Sequence, residues 1–127
     1  QLRRLHKKVI VVAPPPTLGK DVNLGLCAER RALGLPVIMN TARNDCSFAL
    51  DLAQQRQHDT AAMLSLLERD ANVHVIKPGD ATCAEGRCKA MDGAVALYRD
   101  AWHLSVDGSR LIGLRLGLDH QLTTFAH

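Results

Sequence analysis

Only four of the 127 residues are aromatic: Phe48, Tyr98, Trp102 and Phe125. Proteins that grip single-stranded nucleic acid stack bases on aromatic rings along a basic groove. Here the rings are few, the net charge is only +3 and the pI is near 8.8. The sole basic run (Arg3, Arg4, Lys7 and Lys8) reads as a solvated helix face, so no nucleic-acid partner is expected. No stretch approaches the ~20 consecutive apolar residues of a membrane-spanning helix. No apolar signal segment follows Gln1, and a chain opening on Gln rather than Met reads as a processed or excised piece. Internal repeats and low-complexity tracts are also missing.

What is present is an apolar fraction of 46%, enough for one modest core. Leu2 to Lys8 reads as the end of a helix. Val9-Ile10-Val11-Val12-Ala13 is continuous and β-branched, the pattern of a strand buried on both faces of a helix-covered parallel sheet. Pro14-Pro15-Pro16 then turns the chain into a loop beyond the strand's carboxyl end, where ligand sites of open α/β sheets gather. A short helix is predicted around Cys27 to Leu33, closed by Gly34. A longer one runs from a Ser47 cap to about Arg69, broken near Gln57-His58-Asp59, with Leu50, Ala53, Ala61, Leu64 and Leu67 on its apolar side. Val73 to Lys77 is a second strand, stopped by Pro78-Gly79, and residues 78 to 94 read as a loop. Val106 to about Leu118 is a last helix facing the core with Leu111, Leu114 and Leu118. The order predicts an α/β fold with a parallel sheet. Two strands are few for an independent sheet, so the chain is expected to be the C-terminal part of a larger domain.

Four cysteines stand as two local pairs, Cys27 with Cys46 and Cys83 with Cys88. Sequential pairing closes short loops at small entropic cost, and Gly86 supplies the positive φ that the Cys83–Cys88 loop needs. Disulfides place the domain in an oxidising compartment such as the periplasm. A structural zinc would favour C-x2-C spacing and a second such pair; neither is present, and no metal or cofactor is expected.

Asp100 and His103 lie on the turn that enters the last predicted helix, flanked by Tyr98 and Trp102. An Asp three residues before a His can bring its carboxylate to the imidazole Nδ1–H. That fixes the tautomer and leaves Nε2 to take a proton from a nucleophile. The spacing by itself more often marks a surface ion pair than a triad. The position after the last strand and at the entry to the terminal helix, with two of the four aromatics alongside, is what favours chemistry. Ser105 suits a helix cap, and Gly108 lets the first turn approach its neighbours closely.

The block Leu97-Tyr98-Arg99-Asp100, then His103-Leu104-Ser105, Gly108 and Leu111, resembles the final catalytic block of SGNH hydrolase-like domains. More narrowly, it resembles the SGNH domain fused to acyltransferase-3 membrane proteins, which O-acylate bacterial cell-surface sugars such as lipopolysaccharide O-antigen. The strand ending in Ala13-Pro14-Pro15-Pro16, the two cysteine pairs and Ile76-Lys77-Pro78 agree, so the likeness spans nearly the whole chain. It implies a three-layer α/β/α, flavodoxin-like sandwich. It also implies a Ser-His-Asp triad with Asp100 as acid and His103 as base. Tyr98 and Trp102, which flank that pair, are candidates to line the substrate, and an ordinary packing role is equally open for Trp102. The implied partners are an acyl donor delivered by the membrane domain of the same parent chain and a sugar acceptor, met on the periplasmic face of the inner membrane. Where the family usually has polar residues between the Asp and the His, this chain has Ala101 and Trp102.

The family's nucleophile sits in a G-D-S motif near the start of its domain, and none of Ser47, Ser65, Ser105 or Ser109 has that setting. Residues 1–127 are thus expected to be the C-terminal portion of one SGNH-like domain, inactive alone. Asn44, in Ala42-Arg43-Asn44-Asp45, follows the strand at Val9 rather than preceding it and reads as a loop residue instead of an oxyanion donor. The rival readings are a non-catalytic carbohydrate-binding or docking module and a small zinc or thiol-redox module. Of the other histidines, His74 is expected to be structural, and His6, His58, His120 and His127 to face solvent.

Overall fold

The β-branched run after Lys8 forms strand β1, Val9–Val12, and the loop that leaves it carries the three prolines. In the computed structural model, residues 7–20, 22–37 and 45–126 are described. Most of the helix expected from Leu2 to Lys8, together with Asn44, His6 and His127, lies outside them; Lys7 and Lys8 belong to no regular element. The remaining elements follow as α1 (Leu24–Ala32), β2 (Ser47–Ala49), α2 (Leu50–Arg56), α3 (His58–Leu67), β3 (Val73–Ile76) and α4 (Gly79–Thr82). After these come β4 (Cys83–Ala84), β5 (Arg87–Lys89), β6 (Met91–Asp92), β7 (Val95–Ala96), α5 (Val106–Arg115) and α6 (Leu118–Ala126). The fold is mixed α/β.

β1 and β3 pair in parallel, from Val9 opposite Val73 to Val12 opposite Ile76. Full burial of this sheet was expected and is not found: Val12 is 58% exposed, and of the eight paired residues only Ile76 is buried. Burial on both faces requires neighbouring strands and covering helices, and among the described residues the sheet has two strands. His74 is structural, as expected: its Nε2 lies 2.8 Å from Gln121 Oε1 and its ring packs on Phe125.

The main core lies on the other side of the chain, where Phe48, Leu97, Tyr98, Cys27, Cys46 and Cys88 are all but inaccessible. Phe48 and Tyr98 meet edge to face at 6.1 Å, a favoured aromatic geometry. Ser47 therefore does not cap a helix. Phe48 needs the core, so Ser47–Ala49 runs as a strand antiparallel to β5, and the Ser47 hydroxyl accepts from Arg87 Nε at 2.8 Å. The helical stretch is broken at Gln57 as expected. The residue adopts φ −111° between α2 and α3, and its side-chain amide donates to Pro15 O. Of the anticipated apolar positions Ala53 and Leu64 are buried, while Ala61 and Leu67 face outward.

Both disulfides form between sequence neighbours, Cys27–Cys46 and Cys83–Cys88. The second joins residues directly opposite each other across β4 and β5, and Gly86 turns the hairpin with φ 74°. Helix α1 begins earlier than predicted because Asn23 caps it, accepting from Leu26 N at 3.0 Å. The segment expected to be a loop holds α4 and most of two short hairpins. The last predicted helix is two, and its inward residue is Ile112: Leu114 is 79% exposed, while Leu111 and Leu118 are half-buried.

Gly108 fixes where α5 sits. A Cβ there would lie 2.1 Å from the carbonyl oxygen of Leu97, a backbone atom that cannot swing away. Gly108→Ala should therefore lower stability by about 3 kcal/mol or more. Urea denaturation checks this, and an unchanged midpoint would contradict the close packing of α5 on Leu97.

Candidate active site

The loop from Leu97 to Ser105 is a narrow hairpin. Ser105 N donates to Leu97 O at 2.9 Å, Tyr98 and Leu104 form an antiparallel bridge, and Arg99 N donates to His103 O at 2.8 Å. Asp100 through Trp102 make the tip. Aspartate suits such tips because its side chain bonds the backbone two residues on, and Asp100 Oδ1 accepts from Trp102 N at 2.9 Å and His103 N at 2.8 Å. The same carboxylate lies 2.8 and 2.9 Å from His103 Nδ1. Backbone N–H donors first, then the imidazole, hold the Asp100 carboxyl well below the usual carboxylate range. An ionised carboxylate only accepts, so Nδ1 must carry the hydrogen. Nε2 has no protein partner among the described residues, and the His103 side chain is 63% exposed. Arg99 reaches Asp100 from the outer side, at 3.4 Å.

The proline loop forms a wall beside this hairpin. Tyr98 Oη donates to Pro16 O at 2.7 Å, and Leu18 N donates to Ala101 O at 3.1 Å. On the far side Gln57 Nε2 donates to Pro15 O and Arg56 Nη1 to Leu18 O. Tyr98, expected to line the substrate, is corrected here: it is 1% exposed, its hydroxyl faces Pro16, and burial pushes its pKa up. Its part is to hold two loops together. Trp102 is exposed. Nothing in the sequence pointed to Gln57 or Arg56; the one hint was a proline run whose carbonyls must find donors from elsewhere in the chain.

All four serines are described, and none bonds His103. The Ser105 hydroxyl donates to Ala96 O and accepts from Gly108 N, the cap expected of it. Ser47 is engaged by Arg87, Ser65 donates to Ala61 O, and Ser109 lies on α5. All four cysteine sulfurs are in disulfides, so none is a thiolate free to bind zinc. An open groove of about 970 Å³ runs elsewhere, between α4 and the β4–β5 hairpin, and includes neither Asp100 nor His103 in its walls.

Against this geometry, the profile of one family, described as the SGNH domain fused to AT3 domains, matches residues 1–116. The chain belongs to that family. No curated protein and no solved structure matches it. Membership brings the α/β class and hydrolase or acyltransferase chemistry with it, and it associates the domain with a membrane-anchored acyltransferase. No helix among the described residues is itself long and apolar enough to cross a membrane.

Two measurements probe this part of the SGNH domain. A carboxyl with a lowered folded pKa stabilises its turn above the unfolded value, about 3.9, and that contribution fades as pH falls through the folded value. The Asp100 Cγ resonance should therefore stay at its ionised position at pH 3; a midpoint near 3.9 would show that the turn is not held as described. Tyr98→Phe leaves Pro16 O without its donor and should cost about 1–3 kcal/mol in thermal or urea unfolding. Wild-type stability in that variant would remove the tether.

Proposed function

We propose that this SGNH domain supplies the acid and base of a Ser-His-Asp acyl-transfer site, Asp100 and His103, in a longer parent protein. One observation carries the reading. His103 is oriented through Nδ1 by an ionised carboxylate and presents an unengaged Nε2 to solvent, the posture a general base needs. None of the four serines bonds His103, so in this reading the nucleophile is supplied from outside these 127 residues. The half-covered β1–β3 sheet supports this. A parallel pair that exposes Val12 is complete only when further strands and helices cover it, which a three-layer α/β/α sandwich provides.

In the proposed reaction the serine hydroxyl attacks the acyl carbonyl while His103 Nε2 takes its proton. The proton passes to the departing group, leaving an acyl-serine. A sugar hydroxyl then gives its proton to Nε2 and attacks the acyl carbon. The serine–acyl bond breaks, and the serine recovers the proton. The acyl group is acetyl in this reading, brought to the periplasmic face by the acyltransferase-3 membrane domain of the same parent. The acceptor is a cell-surface sugar of the lipopolysaccharide O-antigen kind. The two disulfides suit that oxidising compartment. A carbohydrate-binding or docking role without catalysis is the second reading, favoured by the missing serine partner of His103.

The test is acyl transfer by the full-length parent. His103→Ala and Asp100→Asn should each lower the rate by roughly three to four orders of magnitude. The 127-residue chain alone should show no His103-dependent ester hydrolysis. Full transfer by the parent's His103→Ala variant would leave docking as the surviving reading.

A further inference from the structure

We propose that Trp102 is the stacking platform for the acceptor's pyranose ring, an inference that rests on the acyl-transfer reading above. Trp102 is the chain's single tryptophan and is 49% exposed, one residue from His103. Scattered exposed apolar residues are ordinary; the position and the anchoring of this one are not. Its backbone N–H donates to Asp100 Oδ1, as does that of His103. One carboxylate therefore fixes the backbone that bears the indole and orients the imidazole beside it. Among the described residues no aromatic ring packs on the indole, and its Nε1–H has no partner.

The surroundings select the ligand. Arg99, Asp100 and His103 all present exposed polar groups at or beside the same hairpin tip. A lone aromatic face among hydrogen-bonding groups suits a ligand with one C–H face and an edge of hydroxyls, which is a pyranose. An acyl chain requires enclosing apolar walls, and the large groove is elsewhere. An aromatic ring also offers area with few torsions to freeze, so it binds at small entropic cost. Trp102 makes and breaks no bond in this role; it holds the acceptor so that a hydroxyl meets Nε2.

The single tryptophan reports on its own site. Its fluorescence in the 127-residue chain is titrated with methyl glucopyranoside, galactopyranoside, mannopyranoside and 6-deoxymannopyranoside, with acyclic sorbitol at equal concentration as control. At least one pyranoside should give a saturable blue shift that sorbitol does not; no saturable shift, or the same shift with sorbitol, overturns the proposal. In the parent, Trp102→Ala should lower the ratio of transfer to a sugar over hydrolysis of 4-nitrophenyl acetate by about tenfold, with Trp102→Phe restoring most of it. Equal loss of both activities, or an unchanged ratio, overturns it as well. The His103→Ala parent separates the two failures. If hydrolysis survives that change, the acyl-transfer reading itself fails; if hydrolysis is lost while the Trp102→Ala ratio is unchanged, only the platform fails.

Discussion

A hydrogen bond between the Tyr98 hydroxyl and the carbonyl of Pro16, 82 positions apart in sequence, joins the two halves of this domain. A triple proline has no N–H to offer, so its carbonyls must be satisfied by donors from outside the loop. Tyr98 is the donor that reaches Pro16, and it arrives from the core, where its ring meets Phe48. That contact couples β2, the proline loop and the Asp100–His103 hairpin into one body. Leu18 N on Ala101 O then closes the arrangement from the other side.

The features legible in the sequence are those governed by neighbours in the chain. An Asp three residues before a His, a serine before a helix and a Gly between two close cysteines each decide their geometry within a few positions, and each takes the form expected. The errors fall where tertiary contacts override local preference. Ser47 has the chemistry of a cap, yet the burial of Phe48 draws it into a strand and Arg87 occupies its hydroxyl. Leu114 has a helical spacing that suggests the core, but Gly108 lies so close to Leu97 that it sets the helix's rotation and turns Ile112 inward instead. Tyr98 was misjudged for the same reason, since its partner is invisible at a distance of 82 residues.

The distribution of burial says which part of the fold is self-sufficient. The core gathers around Phe48, Tyr98 and three of the four disulfide cysteines, all nearly inaccessible. A small core gains from such cross-links because they restrict the unfolded chain. The parallel pair β1–β3 is the reverse case, made of strand residues suited to burial on both faces and yet only half covered. The proline loop is anchored to the first of these regions and emerges from the second. The hairpin that carries His103 is thereby held by the well-packed part, whatever covers the sheet.

That separation bears on the proposed triad. Asp100 and His103 are three residues apart, and their contact is secured by the backbone N–H groups of the same turn. Nothing in it depends on a serine. The dyad is therefore organised before a nucleophile approaches, which avoids reorganisation when charge develops on the imidazole. By the same reasoning the dyad's good geometry says nothing about which serine it serves. A base built from local contacts can be carried on a separate stretch of sequence from the nucleophile, provided that a rigid connection sets the distance between them. In this domain the Tyr98–Pro16 bond ties the hairpin to the loop leaving the parallel sheet.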